Sequence, residues 1–460
     1  MASDAALRAL NRFGLGARVG ERARIGDARG WLRAQLQGAP PELPAPASAV
    51  PADIAAALRT VGMRAVYSEE ERQQARRRLA GIAEDESRAA LAQRIGSERP
   101  FVERLVAFWS NHLCVSAGAK RLVAPLAGGY ERQVVRPHVL GRFEEMVLAS
   151  ARHPAMLVYL DNHQSVGPAS PAAGRARRGV QRGLNENYAR ELLELHTLGV
   201  DGGYAQADVV ELARILTGWT VAGLYGPGAR RASGDDDAPG PLRFAFRPAQ
   251  HEPGPKTLLG RRYPEAGVDE GEQAIRALCR HPSTATFVAS KLVAHFVSDQ
   301  PPPSAVERVA RVFRDSEGDL RAVSAALVEL PEAWSEGTRK FRTPQDWLVA
   351  ALRALGVPGA GENLARALRQ LRHPLWSPAA PKGFGDTMQD WADPDALLNR
   401  AELARTLGRR MAGTGPDPRA LLEVVEAPAA DAMRAMLADS RIAPAERIAL
   451  AIAAPAFQWR

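Results

Sequence analysis

The sequence predicts a mainly α-helical protein, built as one large, irregular helical domain with one short β-hairpin. Apolar residues recur at helical spacing along most of the chain. Proline and glycine stand where these segments begin and end, and strand-like alternation is confined to residues 242–263. With 460 residues, 46% of them hydrophobic and 24% charged, the chain has an ordinary globular composition and is long enough to bury a large core.

The first 65 residues are predicted to form a helical arm and a linker. Helical spacing indicates short helices at residues 5–13 and 28–36. Residues 38–52 contain the run APPELPAPASAVPA, whose prolines favour an extended linker. We therefore divide the chain into an arm and linker over residues 1–65 and a main helical domain over residues 66–460.

Helical patterns continue through the main domain, and their ends carry the expected signals. Gly199 follows one helix and Pro331 stops another. The hairpin is predicted to pair RFAFRP with KTLLGRRY across a Gly/Pro turn, and residues 376–393 are predicted to form a packed loop. The main helices are predicted at residues 69–94, 99–111, 143–150, 184–198, 206–217, 270–279, 283–297, 305–315, 320–330, 344–355, 364–371 and 394–411.

Charge and cysteine content narrow the function classes. The net charge is +8 and the pI is about 9.8, but the basic residues are spread along the chain. This balance is a mild argument for an acidic partner and a poor one for nucleic acid, because no nucleic-acid motif is present. Cys114 and Cys279 form no CxxC motif and are expected to be reduced, buried thiols.

The N-terminus and the apolar runs bear on localisation. The first residues have no apolar leader region, and no run of 18 apolar residues occurs. We therefore expect a soluble, cytoplasmic protein without a membrane span. Export would require a leader that a misplaced start codon hides.

The most unusual segment is LNENYARELLELHTLGV, residues 184–200. At about 100° per residue, Asn187, Glu191 and Glu194 converge on one side of a helix, with Arg190 beside them. His196 lies on the opposite face and cannot join them. The cluster is either a solvated face backed by a core histidine or a site that binds a ligand or moves protons.

The following helix carries a second acidic pair, Asp208 and Glu211, and then Arg214. The short DGGY connection predicts that the two helices pack antiparallel. Two acidic pairs that faced each other would repel unless a cation or an arginine lay between them.

Histidines in separate segments supply the other candidate groups. His112 ends an aromatic helix, and His251 lies in the loop PAQHEPGPK. Histidines from different segments together with a carboxylate are typical of zinc or iron sites. His112, His251 and Glu191 are therefore the tentative ligands of a divalent metal. His295, four residues after Lys291 on one helix face, is more simply a core or interface histidine.

Two function classes follow. The first is an enzyme, a metal- or acid/base-dependent hydrolase or oxidoreductase acting on a polar polymer or its precursor. The second is a non-catalytic helical partner protein whose Arg-rich loop, residues 174–183, docks an acidic protein or a glycan. No nucleotide-binding or nucleophile-elbow motif is present. In the enzyme, the catalytic residues would be Glu191, Glu194, His112 and His251, and the substrate-binding residues would be Asn187, Arg190 and Lys256.

The order of motifs resembles a known bacterial family. NRFGLG, FWSNHLCVS, LNENYARELLELHTLGVDGGY, HEPGPK and KFRTPQDWLV occur in the order seen in the domain-of-unknown-function 1800 family. The resemblance extends from about Leu7 to the C-terminus. This chain departs from the family pattern at Leu113, where phenylalanine is usual, at Ala205, where threonine is usual, and at Glu252, where aspartate is usual.

The resemblance implies a mainly helical protein from a family of unknown function. Some members resemble exported proteins, and a sulfatase-like protein is often a neighbour and is the implied partner. Polar residues inside family motifs favour a shared functional pocket. The residues of this chain that fall in those motifs are Asn111, His112, Asn185, Glu186, Asn187, Glu191, Glu194, His196, His251, Lys256 and His295.

Overall fold

The computed structural model confirms a mainly α-helical protein with little β structure. It describes residues 2–174, 183–224, 240–335, 337–359, 361, 363–425 and 429–460. The helices of these ranges are Ala2–Arg8 (α1), Ala28–Gln35 (α2), Pro51–Gly62 (α3), Glu69–Gly96 (α4), Pro100–His112 (α5), Ala127–Tyr130 (α6), Arg136–His138 (α7), Phe143–Arg152 (α8), Pro154–Tyr159 (α9), Pro171–Gly174 (α10), Asn187–Glu191 (α11), Gln206–Ile215 (α12), Val268–Cys279 (α13), Pro282–Phe296 (α14), Pro303–Asp315 (α15), Leu320–Glu329 (α16), Pro344–Ala354 (α17), Leu364–Gln370 (α18), Met388–Trp391 (α19), Pro394–Met411 (α20), Ala429–Ala438 (α21) and Pro444–Ala453 (α22).

Helix ends follow the local signals of the sequence. Ser68 and Glu71 form a reciprocal cap that begins α4. Proline occupies the first turn of α5, α14, α17 and α20, where its missing N–H is not needed. Gly199 has φ +84°, the left-handed backbone expected just after a helix end. These signals explain why the predicted bounds of the long helices agree closely with the structure.

The β structure differs from the predicted hairpin in its pairing. Trp219–Ala222 (β1) pairs antiparallel with Arg243–Phe246 (β2), while Lys256–Leu258 (β3) pairs antiparallel with Arg261–Tyr263 (β4). The predicted pairing of RFAFRP with KTLLGRRY was therefore wrong. KTLLGRRY closes on itself through Leu259 and Gly260, both with positive φ, as a two-residue hairpin turn requires.

The N-terminal segment contributes to the main hydrophobic core. Phe13 packs between Phe101 and Phe296, with ring centroids 5.5 and 5.8 Å away. The predicted linker region gives way at Pro51 to α3, which the sequence analysis did not predict. Helices α3 and α4 enclose a smaller cluster of their own. A boundary between folding units at residue 65 stays a prediction.

No helix within the described ranges combines the length and the hydrophobicity needed to cross a bilayer.

Candidate functional site

A cavity of about 230 Å³ lies where three helices meet a long loop. Its walls come from the end of α5, the middle of α14, the start of α17 and the segment between α18 and α20. Its polar and titratable lining residues are Arg94, Ser110, Asn111, His112, Cys114, Lys291, His295, Thr343, Gln345, Asp346, His373 and Asp386. Side chains from distant parts of the sequence thus share one enclosed space.

Asn111 fixes the loop that closes this cavity. Its side-chain amide donates to the Phe384 carbonyl at 3.0 Å and accepts from the Phe384 N–H at 2.8 Å. Gly383 precedes this contact with φ +81°, and a Cβ there would lie 2.6 Å from the Asn111 carbonyl oxygen. Both the backbone conformation and the close approach therefore require glycine. The loop is held to α5 by the residue that directly precedes His112.

His295 and Asp386 form a hydrogen-bonded pair in the cavity wall. His295 Nδ1 lies 2.8 Å from Asp386 Oδ2, although the two residues are 91 positions apart. Burial lowers the pKa of His295, despite the nearby Asp386 charge. The ring is therefore neutral at neutral pH, and since the carboxylate can only accept, the proton resides on Nδ1. His295 Nε2 keeps a lone pair and has no hydrogen-bond partner among the described residues.

Asp386 is held as a carboxylate by its surroundings. Burial raises its pKa, but His295, Lys340 and Arg460 outweigh that effect, and the pKa is lowered overall. Lys340 also donates to the Asp386 backbone carbonyl, which fixes the main chain at this point. The carboxylate can therefore orient His295 and stabilise an imidazolium formed on it.

His112 offers a second acceptor nitrogen to the cavity. Its Nε2 donates to the His196 carbonyl oxygen at 3.1 Å, so the other ring nitrogen, Nδ1, carries the lone pair. Nδ1 has no hydrogen-bond partner in the part of the chain described. Burial lowers the pKa of His112 well below its ordinary value, which keeps the ring neutral.

Lys291 is one helical turn from His295 and lines the same cavity. The structure records no hydrogen bond or ion pair to its amine within the described ranges; its recorded contact is the Phe287 ring, 5.5 Å from Nζ to the centroid. Burial lowers the pKa of Lys291, while Cys114 and Asp386 oppose the shift. The ammonium therefore faces the cavity without a counter-ion.

Cys114 is not an activated nucleophile. Burial raises the pKa of its thiol to about 12. Its Sγ–H donates to the Pro381 carbonyl, with 3.1 Å between the heavy atoms. Because thiolates rather than thiols are nucleophilic, Cys114 acts here as a wall residue that ties the loop to the end of α5. Both cysteines are buried and free, as the sequence predicted.

The other charged lining residues are neutralised by fixed partners. Arg94 pairs with Glu131 at 2.9 Å, and Asp346 pairs with Arg104 at 3.1 Å. The first pair attaches α4 to the helical segment Glu131–Val135, and the second attaches α5 to α17. Among the charged lining residues, Lys291 is thus the one that forms no ion pair with a described residue.

The polar helix of the sequence analysis is shorter and less regular than predicted. It begins at Asn187 and changes at Leu192 to a π-helical segment that ends at His196. The wider turn rotates Glu194 and His196 away from the positions that uniform α geometry gives them. His196 is buried, and Gly199 closes the helix, both as predicted.

The charges along this helix mostly satisfy one another. Arg190 lies 3.2 Å from Glu186, 3.6 Å from Glu194 and 2.9 Å from the Gln206 side-chain oxygen. The Asn187 side chain donates to a backbone carbonyl at 3.3 Å. Arg190 and Asn187, predicted to bind substrate, thus already have protein partners.

Glu191 is half-buried and is not a lining residue of the cavity. Burial and the neighbouring Glu194 raise its pKa, and Arg190 opposes the shift. The charge of Glu191 is also one of the causes that raise the pKa of Cys114, which lines the cavity.

The acidic pair of α12 does not face that of α11. Asp208 accepts from the Leu259 N–H at 2.7 Å, and Glu211 accepts from the Thr257 N–H at 2.9 Å. Both carboxylates therefore hold the β3–β4 hairpin. Repulsion between the two acidic pairs is thus avoided without a cation between them, because N–H groups of the hairpin take up the second pair.

His251 and Lys256 belong to a separate buried cluster with Glu270. Lys256 Nζ lies 3.2 Å from Glu270, 3.2 Å from His251 Nε2 and 2.6 Å from the Glu252 carbonyl oxygen. His251 Nδ1 donates to the Thr217 carbonyl at 2.9 Å. The three ammonium hydrogens are all used, so the cluster joins β3, α13 and the His251 loop as a structural ion pair.

The structure thus divides the candidate residues among three places. His112 lines the cavity, Glu191 stays on the polar helix with Arg190 and Glu194 as its charged neighbours, and His251 belongs to the Glu270 cluster. No group of three or more His, Cys, Asp or Glu suited to a metal ion occurs in the described part of the chain, so the tentative metal set gains no support. Most of the Arg-rich loop lies outside the described residues, which resume at residue 183.

Sequence reasoning missed several residues of these clusters. Asp386 lay in the segment predicted only as a packed loop. Glu270 was taken as part of an ordinary helix start. The usable signal was the spacing of Lys291 and His295, which places both on one face of α14. Nothing in a single sequence pairs His295 with a carboxylate so distant along the chain.

Comparison with known proteins assigns the chain to a family without assigning an activity. A family model described as "Protein of unknown function (DUF1800)" matches residues 8–459. No curated protein and no solved structure matches.

Proposed function

This chain belongs to the DUF1800 family of proteins of unknown function, and we propose that it is an acid–base hydrolase acting on a small polar substrate in the central cavity. The observation that carries the proposal is the His295–Asp386 pair, at 2.8 Å, whose outer nitrogen is free in a cavity wall. A histidine oriented by a carboxylate and left with an available lone pair is equipped to act as a general base.

In the proposed reaction His295 activates a water molecule. Nε2 takes a proton from the water as its oxygen attacks the substrate carbonyl, and the imidazolium then returns the proton to the leaving group. Asp386 stabilises the transient imidazolium through the Nδ1–H bond. Water is the proposed nucleophile because the Cys114 thiol is held protonated.

Lys291 and His112 position the substrate in this scheme. The ammonium of Lys291, which has no ion pair among the described residues, lies on the same wall and attracts negative charge on the substrate. His112 Nδ1 accepts a hydrogen bond from a substrate hydroxyl or amide N–H. Catalytic roles for Glu191, Glu194 and His251 stay predictions, as do substrate contacts of Asn187, Arg190 and Lys256.

Turnover of simple chromogenic substrates tests this proposal. Purified protein is assayed with p-nitrophenyl acetate, p-nitroacetanilide and p-nitrophenyl phosphate, beside His295→Gln and Asp386→Asn. Loss of a general base lowers rates by about 100-fold or more, so His295→Gln should fall by at least that factor. His138→Gln is the matched control, because His138 bonds the carbonyl of Val134 in its own helical segment and does not line the cavity.

Equal rates for His295→Gln and the unmodified protein would refute the role of His295. Hydrolysis of none of the three probes above the buffer rate would count against the hydrolase. In that case the non-catalytic partner protein, with an acidic or sulfatase-like partner, is the prediction to test next by direct binding.

A further inference from the structure

The charged residues that line the cavity differ in whether the described residues provide them with an ion pair. Arg94, Asp346 and Asp386 each have an opposite charge within 4.0 Å. Lys291 has none among the described residues, and its recorded neighbour is the face of the Phe287 ring. Lys291 is half-buried, and the cost of taking an ammonium partly out of water is offset when an opposite charge accompanies it. A ligand with a single negative charge would supply that charge.

Two of the histidines that line the cavity leave only hydrogen-bond acceptors unused. His295 donates from Nδ1 and His112 donates from Nε2, so each ring leaves only an acceptor nitrogen unused. Both free nitrogens are buried and belong to lining residues. A ligand that satisfies them must bring hydrogen-bond donors, and hydroxyl groups are the simplest donors compatible with an anion.

The cavity volume limits the size of the ligand. About 230 Å³ is smaller than the roughly 300–1,000 Å³ of pockets that hold drug-sized molecules. One lysine also supplies a single positive charge, which matches one carboxylate and not the charge of about −1.5 to −2 that a phosphate monoester carries at neutral pH. A carboxylate on a short carbon chain fits both the volume and the single charge.

We infer that the ligand of this cavity is a small monocarboxylate carrying at least one hydroxyl group, with its carboxylate on Lys291 and its hydroxyl on His112 or His295. This inference rests on the proposed function, since the acid it names is the product that hydrolysis of an ester or amide at the same site would release. It adds that the ligand must carry a negative charge, which hydrolysis by itself does not require.

Three probes of nearly equal size separate the charge from the hydroxyl. Glycolate has both groups, propionate has the carboxylate alone, and glycolamide has the hydroxyl alone. Binding is measured by calorimetric titration at low ionic strength, at concentrations reaching about ten millimolar because such small ligands bind weakly. Glycolate should bind at least about tenfold more tightly than glycolamide and more tightly than propionate, a tenfold ratio being about 1.4 kcal/mol.

Lysine variants connect the charge requirement to Lys291. Lys291→Met should abolish glycolate binding, and Lys291→Arg should retain part of it. Lys382→Met removes an exposed lysine from the loop that closes the cavity and should change the affinity by less than about twofold. Circular dichroism and the melting temperature of each variant establish that it is folded.

Several results would overturn the inference. They are absence of glycolate binding by the folded protein, equal binding of glycolamide, unchanged glycolate binding in Lys291→Met, and tighter binding of inorganic phosphate than of glycolate. The two proposals fail separately. If His295→Gln loses ester turnover but glycolate binding does not depend on Lys291, the hydrolase is retained and the monocarboxylate is rejected. If His295→Gln keeps ester turnover but glycolate binding depends on Lys291, the monocarboxylate is retained and the hydrolase is rejected.

Discussion

The buried histidines of this protein make its stability depend on pH, and they do so at higher pH values than those at which carboxylates titrate. His196 and His373 are both buried, and burial lowers the pKa of each from 6.5 to about 3. Below pH 6.5 the unfolded chain binds protons at these positions that the folded chain does not. Stability is therefore full above that pH and is lost progressively as the pH falls from 6.5 towards about 3.

The size of the effect follows from the two pKa values. At pH 5 each histidine costs about 2 kcal/mol relative to pH 8, because one pKa unit corresponds to about 1.4 kcal/mol. The pair together lowers the free energy of unfolding by about 4 kcal/mol, a large part of the roughly 5–15 kcal/mol typical of natural proteins. Lowered carboxylate pKa values, such as that of Asp386, add little above pH 5.

His373→Phe isolates one of these contributions. His373 stacks on Trp391 with ring centroids 4.6 Å apart, and phenylalanine keeps an aromatic ring there without a titrating group. The difference in unfolding free energy between pH 8 and pH 5 should be about 2 kcal/mol smaller in the variant. Urea unfolding followed by tryptophan fluorescence and circular dichroism measures it, with coincident transitions as the test of two-state behaviour.

His138→Gln controls for the loss of an imidazole elsewhere and should leave the pH difference unchanged. A His373→Phe protein whose pH difference equals that of the unmodified protein would refute the reasoning. The buried His373 would then not be a neutral group whose protonation opposes folding.

Two further changes test the packing around the cavity and the buried cluster. Glu270→Gln should lower the free energy of unfolding, measured with urea, by about 3–5 kcal/mol, because Lys256 would keep a buried charge without a carboxylate. Adding Lys256→Met should recover part of that loss. No recovery in the double variant would show that the pair does not act through charge. Gly383→Ala should destabilise more than Gly413→Ala, because both glycines have positive φ but only Gly383 approaches Asn111, with 2.6 Å from the added Cβ to its carbonyl oxygen. Equal melting temperatures for the two alanine variants would contradict the close approach.

Helices were predictable from this sequence because their signals are local. Pro344 and Pro394 begin helices, and Gly199 follows the end of one, each within a few residues of the apolar pattern it bounds. The fold class follows from the same periodicity. Helix α3 escaped prediction because its first residue, Pro51, belongs to a proline-rich stretch that favours a linker.

Pairing and site geometry were less accessible because they depend on contacts between distant residues. The strand at Arg243–Phe246 pairs with Trp219–Ala222 across a long intervening segment, so the nearer KTLLGRRY run was the wrong partner. The π-helical turn from Leu192 changes side-chain directions without any marker in the sequence. His295 and Asp386 come together only because the closing loop folds back onto α14.

The claim that His295 is a poised base is tested most directly by its protonation state. Long-range ¹H–¹⁵N NMR of protein labelled at histidine, with His295→Gln to assign the signal, reports which ring nitrogen carries the proton. The geometry predicts at neutral pH a neutral ring with its proton on Nδ1 and a lone pair on Nε2, and a changed Nδ1 signal in Asp386→Asn. A proton on Nε2, or an imidazolium at neutral pH, would contradict the account.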